Sequence, residues 1–307
     1  MCSSTRLALL LVLLEAMGYR SRHSIPELGV GVGFRSPHAR RILTERPAMD
    51  WFEIITENYL SLGGLPRTEL ESLCASYRVV PHGVSLSIGG TDSLDPSYLE
   101  LLRALVRGVD APWASDHLCW TGVAGVDAHD LFPLPYTWET LSHVVERVKR
   151  VQGELGVPFA LENASSYVEF QDSTMLEYEF LGELAERADC GVLLDVNNIF
   201  VSAFNHGFDA RAYIDAIPAD RVVQMHLAGH TDKGRYLLDT HADLVRSEVW
   251  DLFRRALRRL GPVSTLIEWD ANIPSWEVLA AEAAVARSIV DEVRNASGQG
   301  STWASAT

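Results

Sequence analysis

Val222-Val223-Gln224-Met225-His226-Leu227-Ala228-Gly229-His230 reads as a short buried strand that runs into an imidazole, with a second imidazole four residues on. Nearly unbroken apolar residues are what a strand needs when helices cover both faces of its sheet. The same pattern recurs outward from this stretch, at Leu28–Phe34, Trp51–Ile55, Val79–Val84, Pro112–His117, Phe159–Glu162, Val192–Asp195 and Thr265–Glu268. Helical patterns, with apolar residues at three- and four-residue spacing, alternate with the strands; Tyr98–Val106, Val144–Leu155, Met175–Ala188, Val249–Leu260 and Trp276–Val293 are the clearest. Pro96, Pro218 and Pro274 stand near helix starts, where a missing N–H does no harm. Eight strands alternating with helices predict an α/β chain folded as a single (β/α)₈ barrel of the TIM type. The glycines of Gly29-Val30-Gly31-Val32-Gly33 alternate within a strand pattern and do not fit the dinucleotide fingerprint, so they read as close packing at the barrel wall.

In a parallel barrel all strand C-termini meet at one face. Seven of the eight predicted strands end in, or lead into, a residue of a type that can bind metal: Glu57, His82, His117, Glu162, Asp195, His226 and Glu268. Each alone has a plainer explanation. His82 fits a hydrogen-bonded core histidine, Asp195 a helix cap, and Glu268 the partner of an arginine. Repetition at one topological position favours metal, because crowded buried carboxylates and imidazoles need cations to hold them. Glu162 and Asp195 end adjacent strands, so at least one of them is expected to bridge two ions. Satellites stand at suitable spacing: Asn198 three residues after Asp195, His230 four after His226, and Asp239-x-His241 with both side chains on one side of an extended segment. Mixed imidazole and carboxylate donors suit iron, manganese or zinc. The polar segment Gly229–Asp239 predicts a surface loop over the mouth, whose ligands matter more to activity than to folding of the metal-free chain. His38, His129, His143 and His206 read as surface residues or supports, Asp116 as pointing away from His117, and Cys119 as a weak nucleophile signal without a paired base.

The chain has 307 residues, 47% of them hydrophobic and 22% charged, enough for a large buried core. A net charge of −15 argues against a nucleic-acid partner. Cys2, Cys74, Cys119 and Cys190 are widely spaced and form no CxxC pair, which fits a reduced, cytoplasmic protein. The apolar run Leu7–Leu14 is too short to span a membrane and is interrupted by Glu15, so no membrane association is expected. Residues 1–26 are taken as an N-terminal extension, 27–294 as the barrel and catalytic domain, and 295–307 as a disordered tail.

These motifs together resemble the multinuclear non-heme iron-dependent oxidases, the family that includes the methanobactin biosynthesis oxidase. The similarity runs from about Gly29 to about Arg287 and is carried by Glu57-Asn58-Tyr59, Pro81-His82-Gly83-Val84, Ser115-Asp116-His117-Leu118, Pro133-Leu134-Pro135-Tyr136, Leu161-Glu162-Asn163, Leu194-Asp195-Val196-Asn197-Asn198, Gln224 to His230, Asp239-Thr240-His241 and Ile267-Glu268-Trp269-Asp270. The resemblance implies two or three irons of mixed Fe(II)/Fe(III) state, O₂ as co-substrate, and ligands at His82, His117, Glu162, Asp195, His226, Asp239, His241 and Glu268. It puts Asn163, Asn198 and His230 in or beside the cluster, and these three with His82 are expected to act on the substrate. It further implies a ribosomally made, cysteine-containing precursor peptide as substrate and a small partner protein that presents the leader. More distant kin of this xylose isomerase-like superfamily leave two alternatives. One is a metal-dependent phosphodiesterase of the endonuclease IV type, where a histidine would stand at Asn198. The other is a sugar isomerase or epimerase, which a lysine at the mouth would favour; the chain has only Lys149 and Lys233.

Overall fold

The computed structural model describes residues 17–60, 63–296 and 298. Eight parallel strands form a closed barrel: β1 (Val30–Gly33), β2 (Trp51–Ile55), β3 (Arg78–Gly83), β4 (Ala114–His117), β7 (Phe159–Glu162), β8 (Gly191–Asp195), β9 (Val222–Leu227) and β12 (Ser264–Ile267). Each pairs with the next of this series, and β12 returns to β1. All eight anticipated strands are present, each within two residues of its expected start and one of its expected end. Helices surround them: α2 (Ser36–Glu45), α3 (Leu65–Cys74), α4 (Pro96–Gly108), α5 (Trp138–Leu155), α6 (Glu177–Ala188), α7 (Val196–His206), α8 (Ala210–Ala216), α9 (Ser247–Leu260) and α10 (Trp276–Ala296). The sequence periodicity shows in α9, which buries Val249, Leu252, Phe253, Ala256, Leu257 and Leu260 as one stripe. Helix α5 is stopped at both ends by local chemistry. The Thr137 hydroxyl accepts from the Thr140 amide at 3.2 Å, and Gly156 takes the left-handed turn at φ 72°.

Inside the barrel, period-2 alternation builds two unlike layers. The lower one is apolar: Trp51, Val80, Trp113, Ala160, Leu193, Val223 and Leu266 pack together. Two residues further along six of those strands come Glu53, His82, Ser115, Glu162, Asp195 and Glu268, all buried. The seventh, β9, has a register shift against β8, where Val192 pairs Val222 but Leu193 pairs Gln224. The extra residue, Val223, re-phases β9 so that Gln224 and His226 belong to the polar layer. Strand β1 contributes glycines. A Cβ at Gly31 would lie 2.6 Å from the Trp51 ring and one at Gly33 2.7 Å from Arg35 Nη1, so their absence makes room for those two side chains.

The floor is closed by a short helix, α1 (Tyr19–Arg22). Tyr19 is 1% exposed and packs in the lower layer beside Trp51 and Trp113. Arg22 and Arg221 both bind Asp189, at 2.7 and 3.0 Å, and Arg20 donates to the carbonyls of Leu260 and Pro262. The boundary expected at residue 26 therefore falls within a docked segment. The run Leu7–Leu14 lies outside the described residues, as does almost all of the expected tail; α10 continues to Ala296. Among the described residues no helix is long and apolar enough to cross a membrane.

Two small hairpins were not anticipated. Strands β5 (Trp120–Val123) and β6 (Val126–Phe132) project between β4 and α5 around Ala124 and Gly125, both at positive φ, as a two-residue hairpin turn requires. The segment expected as plain loop carries β10 (Thr231–Asp232) and β11 (Leu237–Leu238), an antiparallel pair.

Candidate metal centre

Four imidazoles converge on carboxylates at the mouth, and each is fixed by what its other nitrogen touches. His82 Nδ1 meets Ser115 Oγ at 2.9 Å, leaving Nε2 3.0 Å from Glu162 Oε2. His117 Nδ1 meets the Gly83 carbonyl at 3.1 Å, and its Nε2 lies 3.3 Å from the same Glu162 oxygen. His226 is held from below. Its Nε2 lies 3.1 Å from Glu53 Oε2, which also accepts from Gln224 Nε2 at 2.5 Å, and Trp113 Nε1 donates to Gln224 Oε1 at 2.8 Å. With Nε2 turned to a carboxylate, His226 points Nδ1 at Glu268 Oε2 (2.9 Å) and Glu162 Oε1 (3.5 Å). His241 reaches in from the segment after β11. Its Nδ1 is 3.2 Å from Glu268 Oε2 and 3.1 Å from Asp270 Oδ2, and its Nε2 is 2.7 Å from Asp239 Oδ1.

Asp195 ends β8 and caps α7. Its Oδ1 accepts from the Asn198 amide at 2.6 Å, while Oδ2 faces His241 Nε2 at 4.0 Å. The cap and the candidate ligand are thus one side chain.

These contacts are ion pairs by distance, yet the buried His82 Nε2, Glu162 Oε2, His226 Nδ1 and His241 Nε2 lack the geometry of a hydrogen bond, and Asp195 Oδ2 and Asn198 Oδ1 have no hydrogen-bond partner. A buried polar atom without a partner costs roughly 1–3 kcal/mol, so several together demand an explanation. A cation supplies one. Ligand-type atoms fall into three sets, each within 4.8 Å: His82, His117, Glu162; Glu162, Asp195, His226, Glu268; and His241, Glu268, Asp270. Glu162 belongs to two sets and Glu268 to two, so the sets form a chain joined by these carboxylates. The donor chemistry and the atoms without well-formed hydrogen bonds fit divalent metal ions.

The electrostatics agree. Burial alone would lower the His82 imidazole, but Glu162 and Glu53 outweigh it and hold it up at about 9. His226 and His241 are likewise held well above the usual range, against burial, by Glu53 and Glu268 for the first and by Asp239 and Glu268 for the second. Glu268 is driven well below the usual range, its desolvation overcome by His226 and His241. Asp195 is raised by burial. Arg35 brings a fixed cation to this acidic mouth, its Nη2 lying 2.6 Å from Asp270 and 3.8 Å from Glu268. The pairing of Glu268 with an arginine therefore coexists with its place in the cluster.

Three residues expected at the reaction stand one layer back or partly so. Asn163 spends both amide atoms on the Asp195 backbone, at 2.9 Å each, which makes it a positioning residue. His230 Nδ1 meets Asn197 Oδ1 at 2.8 Å, and Asn197 Nδ2 donates to Asp239 at 2.8 Å, so His230 supports the site through Asn197. Asn198 donates to the Asn163 carbonyl at 3.1 Å and keeps Oδ1 free. Asp239 touches His241 but falls outside the three sets. Glu57 does not join the cluster. Its Oε1 accepts from the amides of Val84 and Ser85 and from the Tyr98 hydroxyl, tying down the loop after β3. Asp116 points outward, accepting from the Leu86 and His117 amides.

Glu53, Gln224, Arg35 and Asn197 were not singled out. A charged residue inside Trp51-Phe52-Glu53-Ile54-Ile55 was the signal for the first, and Asp270 lay unassigned within a quoted motif. Of the remaining histidines, His129 is exposed and His143 Nε2 lies 2.9 Å from the Gly90 carbonyl, whereas His38 is buried against Trp276 and His206 is tied to Ser166. Burial pushes the Cys119 thiol well up, as for a thiol packed in apolar surroundings.

Comparison with known proteins places this geometry. Residues 29–291 match the family described as RiPP precursor modification enzyme MbnB/TglH/ChrH. A UPF0276 protein of Anaeromyxobacter sp. (strain Fw109-5) is 56% identical over 247 residues, covering 80% of this chain and 87% of that one. A UPF0276 protein of Caulobacter vibrioides is 47% identical, covering 84% and 93%. Among solved structures, endonuclease IV from Thermus thermophilus superposes with a TM-score of 0.58 at 18% identity, covering 86% and 99% of the two chains. An L-ribulose 3-epimerase gives 0.57 at 14%, covering 89% and 98%. At these identities the structures speak for the barrel alone.

Proposed function

The chain belongs to the family of RiPP precursor modification enzymes MbnB/TglH/ChrH, and from that premise we propose that it is an iron-dependent oxidase that uses O₂ to modify a cysteine of a ribosomally made precursor peptide. The observation that carries this reading is the convergence at the barrel mouth of five buried ligand-type atoms that make no well-formed hydrogen bond. His82, His117 and Glu162 would hold one ion, Glu162, Asp195, His226 and Glu268 a second, and His241, Glu268 and Asp270 a third, with Asp239 beside His241. Iron held there would supply thiolate binding and O₂ reduction.

The chain's own residues set the conditions for that chemistry. Glu53 and Gln224 fix the His226 ring from below, Ser115 fixes His82, and Asn163 locks the backbone of Asp195. Arg35 steadies Asp270 and Glu268. Asn198, with a free Oδ1 and no imidazole, leaves room for a substrate atom at its edge of the cluster. A small partner protein presenting the peptide leader belongs to the same reading. The unpaired Cys74, Cys119 and Cys190 support a reducing, cytoplasmic setting.

The test is O₂ uptake by anaerobically purified, iron-loaded protein on addition of a cysteine-containing peptide encoded beside its gene. Uptake that depends on the peptide, and is lost when its cysteine is replaced by serine, is expected. Hydrolysis of abasic-site DNA, or epimerisation of a ketose, without such uptake would move the protein to one of the alternative activities.

A further inference from the structure

A cavity of about 670 Å³ lies between the β7–α6 loop, the start of α6 and α8, apart from the metal centre. Its walls include Val168, Phe170 and Leu176, exposed by 59%, 39% and 53%. Glu177 also lines it, accepting from the Tyr213 hydroxyl at 2.9 Å. Burial holds that carboxyl up at about 7, against the hydroxyls of Tyr213 and Tyr136. Three more carboxylates, of Glu169, Glu179 and Asp209, line the cavity, and among the described residues no lysine or arginine does. Its one imidazole, His206, meets Ser166 at 2.8 Å to Oγ and 3.0 Å to the carbonyl, and its Nδ1 lies 3.8 Å from Glu169. Apolar walls with an excess of carboxylates complement a side chain that has an aliphatic stem and a cationic head, beside a second apolar residue.

The cavity is also near the metal centre along the chain. The β7–α6 loop begins at Asn163, bonded to Asp195, and Ser166 already lines the cavity three residues on, at most about 10 Å away. The loop that holds the Asp195 backbone thus also walls the cavity, which is the ground for assigning both to one peptide.

We propose that this cavity is a second substrate subsite, taking a lysine or arginine flanked by an apolar residue from the same peptide that is modified at the metal centre. The inference rests on the peptide-modifying reading above. It is tested by calorimetric titration of the protein as purified, without oxygen, with two blocked peptides, Ac-Phe-Arg-Phe-NH₂ and Ac-Phe-Glu-Phe-NH₂. The arginine peptide is expected to bind about tenfold more tightly, the worth of one charge-assisted contact. Ala212→Trp, which fills the cavity from α8, should abolish binding. Glu177→Gln, which keeps the tyrosine contact, should weaken the arginine peptide alone. No binding of the arginine peptide, equal binding of both peptides, or binding unchanged in both variants overturns the proposal. Neither peptide contains cysteine, so these outcomes are independent of oxidation, and metal content of the same samples reports separately on the oxidase reading.

Discussion

Glu162 is the residue on which the cluster turns, because its two oxygens face different imidazoles: Oε2 faces His82 and His117, Oε1 faces His226. A carboxylate shared by two ligand sets should carry more than one ion. Glu162→Gln is therefore expected to lose more than one metal equivalent, measured by elemental analysis, whereas Asp239→Asn loses one at most. Equal losses would place the bridge elsewhere. Sequence spacing left the bridge open between Glu162 and Asp195, and the distances favour Glu162, with Glu268 as its counterpart. Asp195 has a different double duty. Asp195→Ala removes both a candidate ligand and a helix cap, so the metal-free protein should lose about 1 kcal/mol in denaturant unfolding. Asp195→Asn, which still caps, should retain that stability and lose metal alone.

At the scale of elements, the segment around β10 and β11 shows where composition misleads. Its polar sequence implies ligands that hardly affect folding. Yet His241 is buried, and it stands between Asp239, Glu268 and Asp270, which repel one another without it. His241→Ala is now expected to lower the melting temperature of the metal-free protein as well as to lose one ion, while His129→Ala, on the exposed β5–β6 hairpin, changes neither. An unchanged melting temperature for the His241 variant would restore the simpler loop picture. Helix α1 makes a similar point at the other end of the barrel. Tyr19→Ala empties a site filled in the lower layer and should cost about 3–5 kcal/mol while metal content stays the same. A shift below about 1 kcal/mol would show that the floor closes without it.

The eight strands and the positions of His82, His117, Glu162, Asp195, His226 and Glu268 were legible because burial on both faces leaves a plain apolar run, and a charged or imidazole side chain at its end stands out. Glu53 was less legible, since one charged residue within an apolar strand says nothing of which way it faces until the barrel closes. The Val223 bulge was not legible at all. It depends on pairing between β8 and β9, and its effect is to turn His226 inward. The β5–β6 hairpin escaped for a local reason: Ala124 holds a positive φ where asparagine or glycine is the usual signal.

For the whole molecule, the barrel gathers onto one face more negative charge than its side chains offset. Metal bound only by the folded state adds stability, about 2.7 kcal/mol at a free concentration one hundred times Kd. Chelation should accordingly lower the melting temperature by about 4 °C for a chain of this size. The most direct measurement is the metal content of protein purified without oxygen from cells supplied with both iron and zinc. About two to three irons per chain, falling to about one or fewer in Glu162→Gln, is the expected result. Wild-type protein that holds zinc alone and is fully active with it, or that holds no metal, would contradict the account.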